Sequence, residues 1–164
     1  MEKIKGWIAK NRKEINRFLK FAVVGTIGAV VDFSILYLLH AVWGLHLALA
    51  NTISFSCAVL SNFIWNRLWT YPDSRSKPVS AQLGQFAVVN IAGWAINTTI
   101  VLLLSAPLTA LVVNVARNLT IVQLRITPEI AYKIGYNAAK VIATGVVMFW
   151  NFFINRFWTY NDVD

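Results

Sequence analysis

Asn62–Asp73 reads NFIWNRLWTYPD, and Asn151–Asp162 reads NFFINRFWTYND. Eight of the twelve positions are identical: Asn62/Asn151, Phe63/Phe152, Asn66/Asn155, Arg67/Arg156, Trp69/Trp158, Thr70/Thr159, Tyr71/Tyr160 and Asp73/Asp162. Each copy closes a long apolar run and sets arginine, tryptophan and tyrosine where that run meets polar residues, the composition of a helix end leaving a bilayer. The chain therefore reads as a tandem repeat of membrane-spanning units, with Trp69, Tyr71, Trp158 and Tyr160 as interfacial belt anchors.

The repeat extends upstream. FAVVGTIGAVVDF from Phe21 aligns with FAVVNIAGWAINT from Phe86, pairing Gly28 with Gly93 and Asp32 with Asn97. The unit is two spans, so both copies enter and leave on the same side and form parallel repeats. Four spans are expected at about 18–39, 45–69, 83–105 and 136–158, each near the roughly 20 residues that cross a bilayer as a helix. The fold class is an all-α integral membrane protein, with residues 1–164 as a single transmembrane domain.

Two segments flank the spans. Residues 1–17 carry Lys3, Lys5, Lys10, Arg12, Lys13 and Arg17 beside Ile4, Trp7, Ile8 and Ile15, the pattern of a basic interfacial helix. The outer insert 106–128 places Leu108, Leu111, Val112, Val115 and Leu119 on one helical face, which predicts a surface helix, while Val122 to Thr127 alternates like a strand. Thr127-Pro128-Glu129 has the form of an N-cap, a first-turn proline and a first-turn acid.

Composition supports the same class. Of 164 residues, 57% are hydrophobic and 13% charged, against about 25% charged in a water-soluble domain. The net charge of +8 is not arranged as a basic patch interleaved with exposed aromatics, so nucleic acid is excluded as a partner and anionic membrane lipid is favoured. Eleven of the fifteen Lys and Arg residues fall on the side holding both termini and the 67–77 linker; Arg117, Arg125, Lys133 and Lys140 fall on the other. Both termini are thus expected in the cytoplasm, in the cytoplasmic (inner) membrane. The single Cys57 sits in an apolar run and reads as a packing residue.

FLKFAVVGTIGAVVDF at the first span, NFIWNRLWTY at the second and the recurrence of the latter at the fourth resemble the GtrA-like small four-span membrane proteins. The resemblance covers residues 18–162. It implies translocation of a polyprenyl-phosphate-linked sugar for cell-surface polysaccharide or O-antigen modification, or a non-transporting partnership with the membrane glycosyltransferase that makes or uses that lipid.

Such a ligand needs cationic groups for phosphate, polar groups for sugar and an apolar flank for the isoprenoid. Asn62, Asn66 and Arg67, repeated as Asn151, Asn155 and Arg156, supply donors and cations at helical spacing. Either the two arginines face one anion or they snorkel to headgroups while the asparagines join helices. Within the spans, Asp32, Asn97, Lys140 and Asn51 are the polar candidates. A carboxylate inside a span is costly and faces a partner or a cavity. Gly25 and Gly28 precede Asp32 as points of close helix approach. Asp32 reads as a hydrogen-bonded neutral acid, an ion-pair partner of Lys140, or a proton- or substrate-handling group; the last alternative admits a small proton-coupled transporter. His40 and His46 flank the first outer turn as interfacial residues. No nucleophile set, cofactor motif or metal spacing is present, so the chain reads as non-enzymatic and without cofactors. Four short spans enclose little volume, which favours a homo-oligomer.

Overall fold

The computed structural model describes residues 11–118 and 127–163. Four helices dominate: α1 (Arg12–Leu36), α2 (Leu47–Trp65), α3 (Val79–Asn118) and α4 (Pro128–Ile154). Three are extended by π-turns, at Tyr37–Val42, Asn66–Thr70 and Asn155–Thr159. All four are long and apolar enough to cross a membrane, and no strand occurs among the described residues.

Two boundaries differ from the sequence reading. From Arg12 the basic segment runs unbroken into the first span, so 12–17 belong to α1 instead of a separate interfacial helix; residues 1–10 lie outside the described residues. The third helix does not stop at 105. It continues 40 residues through Pro107 to Asn118, a length of about 60 Å at ~1.5 Å per residue. The proline is accommodated beside hydroxyls that bond back along the helix, Ser105 Oγ to Val101 O and Thr109 Oγ1 to Ser105 O. The surface helix expected in the insert is therefore, over 106–118, an extension of α3, while residues 119–126, which include most of the strand-like stretch, lie outside the described residues. The expected N-cap is present: Thr127 Oγ1 accepts the N–H of Ile130 at 3.3 Å, and Glu129 pairs with Lys133 at 2.6 Å.

The described chain forms two compact units, Met1–Val88 with Ile154–Asp164, and Val89–Phe153. In the first, α1 and α2 pack antiparallel, with Gly28 against Asn62 and Lys20 at the Trp69 carbonyl. The ends of α2 and α4 and the start of α3 meet there too, as parallel repeats require. In the second, Ala131, Gly135, Ala139 and Ala143 form a buried stripe on α4 at four-residue spacing. It lets Gly135 approach the Thr109 backbone so closely that a Cβ would lie 2.5 Å from the Thr109 nitrogen. The large apolar side chains, Phe33, Leu102 and Val141 among them, point outward. Lipid, not a water-excluding protein core, is the solvent these helices are built for.

The Gly–Asn contact recurs. Gly28 meets the Asn62 amide in the first unit, and Gly93 meets the Asn151 amide in the second. The residues paired by the sequence repeat thus occupy equivalent packing positions. Gly25, expected to share Gly28's role, does not: a Cβ there would meet nothing within 4 Å.

Candidate functional site

Both copies of NRxWT close their helix with the same π-turn. The N–H of Tyr71 donates to Asn66 O and that of Tyr160 to Asn155 O, each at 2.8 Å. The wider turn frees backbone groups from the α-helical pattern, and such turns concentrate at functional sites. It also rotates the two tyrosines inward. Tyr71 and Tyr160 are fully buried and stacked face to face, ring centroids 4.4 Å apart, which corrects their reading as belt anchors. Trp69 and Trp158, 39% and 43% exposed, keep that outward position. The stack continues through Phe86 to Phe63, and the Arg17 guanidinium stands 5.8 Å from the Tyr71 ring centre. Burial pushes both phenols well above the ordinary tyrosine range, so the stack is neutral at all physiological pH.

Beyond the tyrosines the copies diverge. In the second, Thr159 Oγ1 donates to Asn155 Oδ1 at 2.8 Å, and Arg156 Nε donates to both oxygens of Glu14 at 3.2 Å. Asp162 accepts from Ser74 Oγ, Ser76 N and Ser76 Oγ at 2.5, 3.1 and 2.8 Å, and Ser74 Oγ in turn accepts from Gln82 Nε2. Burial would raise the Asp162 carboxyl, but the bonds from Ser74 and Ser76 outweigh it and hold the group below the usual carboxylate range. Asn155, Arg156, Thr159 and Asp162 thus all have side-chain partners in the protein.

In the first copy the atoms corresponding to Asn155 Oδ1, Arg156 and Thr159 Oγ1 are left open. Asn66 Oδ1, Thr70 Oγ1 and Arg67 Nη1 are buried without a protein hydrogen-bond partner, as are Asn62 Oδ1 and Asp32 Oδ1. Asn62, Asn66 and Thr70 follow one another by a turn along α2, and Asp32 lies one turn beyond Gly28, the residue that meets Asn62. A seam of oxygens thus lines the α1–α2 pair from the π-turn into the span. Buried polar atoms are satisfied in more than nine cases in ten, so four unpartnered oxygens along one helix pair are unusual.

Of the remaining candidates, Asn97 is half-buried on α3, Asn51 is exposed on α2 with its carbonyl accepting from Ser54 Oγ at 3.1 Å, and Asn151 packs at Gly93. Lys140 is exposed with its ammonium 5.7 Å from the Tyr136 ring centre. His40 Nδ1–H donates to the Leu45 carbonyl at 2.9 Å, clasping the turn that Gly44 makes at φ 71°. Glu14, Arg17, Ser74 and Gln82 were not singled out from the sequence. The signal available was Glu14, the one acid between Lys13 and Arg17 in a basic run.

Residues 20–160 match the family described as GtrA/DPMS, transmembrane domain. The chain belongs to that family. It is similar to a dolichol-phosphate mannosyltransferase of Pyrococcus furiosus, 31% identical over 84 residues, which are 51% of this chain and 24% of that protein. The chain therefore spans about a quarter of that relative's length. It is also 24% identical over 151 residues to an uncharacterized membrane protein, YngA, of Bacillus subtilis, covering 92% of this chain and 84% of that one. With four candidate spans and this family, the protein is a membrane protein.

Proposed function

We propose that the chain carries a polyprenyl-phosphate-linked sugar across the cytoplasmic membrane, with both termini in the cytoplasm, and assign it no bond-making step of its own. The observation that carries the reading is the seam of unpartnered oxygens at Asp32, Asn62, Asn66 and Thr70. Sugar hydroxyls are donors, and a row of acceptors at one-turn spacing receives them while the isoprenoid stays among the exposed apolar side chains. The second copy, whose Asn155–Thr159 pair is satisfied internally, serves as the rigid half against which the first works.

The test uses the purified chain in liposomes with a labelled polyprenyl-phosphate sugar, the label read by a membrane-impermeant reagent. The parent is expected to expose inner-leaflet lipid. Asn66→Leu, which removes an acceptor without adding an unpaired group, is expected to slow exposure at least tenfold, from the roughly 1–3 kcal/mol of a bond to a polar ligand. Equal rates in empty and protein-containing vesicles refute translocation. The similarity to a mannosyltransferase segment favours, as a second reading, a membrane partner of a glycosyltransferase; it predicts raised activity of a co-reconstituted transferase with no transbilayer movement.

A further inference from the structure

A pocket of about 200 Å³ opens beside the first copy's π-turn, lined by Lys13, Asn16, Arg17 and Lys20 of α1 and by Thr70 and Asp73 after α2. Three of these residues are cationic and one acidic. Arg17 is only 4% exposed, and its guanidinium is held by Glu14 at 2.6 Å and by the Tyr71 ring. Its charge is therefore fixed in place before any ligand arrives, while Lys13 is exposed. Thr70 is the last member of the seam.

The second copy shows how much of this charge is structural. The alignment that pairs Phe21 with Phe86 pairs Lys13, Asn16, Arg17 and Lys20 with Pro78, Ala81, Gln82 and Gln85. All three cations have neutral counterparts. What closing the helix end requires is one lysine in each copy: Lys20 Nζ donates to the Trp69 carbonyl at 3.2 Å, and Lys77 Nζ to the Trp158 carbonyl at 2.7 Å. Lys13 and Arg17 exceed that requirement. Glu14 does not cancel them, because it is shared with Arg156.

We infer that this pocket binds a phosphate group presented at the membrane interface, through Lys13, Arg17 and Lys20 with Asn16 as a further donor. The guanidinium supplies a planar fork and the ammonium groups mobile point charges. Asp73, on the pocket wall, disfavours a bare carboxylate and accepts a hydroxyl next to the phosphate, as a glycosyl phosphate offers. The site lies where the seam begins, so phosphate and sugar would be held by adjoining parts of α1 and α2. This deepens the proposed function, resting on its reading that the ligand carries phosphate, and moves the phosphate from Arg67 and Arg156 to the first repeat's entrance.

The experiment is equilibrium binding by the full chain in phosphatidylcholine nanodiscs, with three probes: a short-chain polyprenyl monophosphate, inorganic phosphate and phosphatidylglycerol. Lys13→Gln with Arg17→Gln is expected to weaken polyprenyl monophosphate at least tenfold, as the loss of bonds to a charged group implies. Because Arg17 is buried, the exposed pair Lys13→Gln with Asn16→Ala provides a second variant whose fold is undisturbed, expected to weaken it about three- to tenfold. Lys77→Gln, the helix-end lysine of the other copy, should leave affinity unchanged. Displacement by inorganic phosphate would assign the pocket to free phosphate; displacement by the two lipids alone would assign it to a lipid-borne group. The inference is overturned if the exposed pair binds every probe like the parent, or if Lys77→Gln weakens binding equally, since generic surface charge would then suffice. Loss of binding in the pocket variants, in a chain that moves no lipid in vesicles, supports the pocket and removes translocation; translocation unaffected by these variants does the reverse.

Discussion

Gly28→Ala tests the contact on which the two-helix repeat is built. A Cβ at Gly28 would lie 2.2 Å from Asn62 Oδ1, 2.4 Å from Nδ2 and 2.6 Å from Cγ, so the amide must leave its place or the helices must part. Over-packing of this kind costs about 1–3 kcal/mol, offset by up to ~1 kcal/mol from alanine's better helix propensity. The expected net loss is about 1–2 kcal/mol. Gly25→Ala, with open space around it, keeps only the propensity gain and should be neutral or stabilising. Gly93→Ala should fall between them, its Cβ meeting Asn151 Oδ1 at 2.8 Å and Val147 Cγ1 at 3.1 Å. The assay is equilibrium unfolding of each variant in mixed detergent micelles, with Asn62→Ala added to Gly28→Ala to vacate the contested space. A coupling of about 1 kcal/mol in favour of the double variant is expected for residues in contact. If Gly28→Ala is as stable as Gly25→Ala, or if Asn62→Ala brings no relief, the Gly–Asn contact does not set the helix spacing.

Asp162→Asn should loosen the 74–76 linker. The carboxyl is held below its ordinary value, so its contribution is present above about pH 4 and is lost as pH falls through the depressed value; thermal melts of parent and variant should therefore converge in acid, and a constant difference down to pH 2 would refute the latch. Arg156→Met should cost roughly 1–3 kcal/mol through its bonds to Glu14, whereas Arg67→Met, which removes a nitrogen already unpartnered, should fold as well as the parent; equal losses in unfolding experiments contradict the asymmetry of the copies. Reporter fusions at Ser76 and at both termini should read cytoplasm and one at Arg117 the outside; an outside signal at Ser76 refutes the four-span topology.

What was legible in the sequence was the periodic and repeated part. Apolar runs located four spans, and the alignment of Gly28 with Gly93 and Asn62 with Asn151 anticipated two equivalent contacts, since small residues opposite amides are a local requirement of close helix approach. The seam was half-legible: Asp32, Asn62 and Asn66 stood out as polar residues in apolar runs, but Thr70 did not, because a threonine at a helix end has many ordinary uses. The fates of Tyr71 and Tyr160 were not legible at all. A tyrosine after tryptophan at a span end has belt composition whichever way it points, and the π-turn that turns it inward is a matter of one extra residue per hydrogen-bonded ring. The length of α3 was concealed by Pro107, which usually ends a helix but is accommodated in apolar surroundings.

The divergence of two nearly identical motifs narrows what a parallel repeat can do. Had both copies stayed open, two polar seams would have weakened the helix pairs while offering no direction. Instead, the acids fall unevenly: Glu14 and Asp162 both serve the second copy's end, leaving Arg67 Nη1, Asn66 Oδ1 and Thr70 Oγ1 of the first without hydrogen-bond partners. From Lys20 to Asp32 along α1 the seam covers about 18 Å at ~1.5 Å per residue, more than half of the roughly 30 Å hydrocarbon thickness. Under the proposed translocation, these acceptors accompany a polar head from the basic entrance along this stretch of α1 and α2. The remaining stretch of α1, Phe33 to Leu36, is apolar apart from Ser34. Under the same proposal the barrier to transfer lies beyond Asp32, and the widening that lowers it falls where α1 passes into its π-turn at Tyr37–Val42, the part of this helix whose hydrogen bonding is least α-helical.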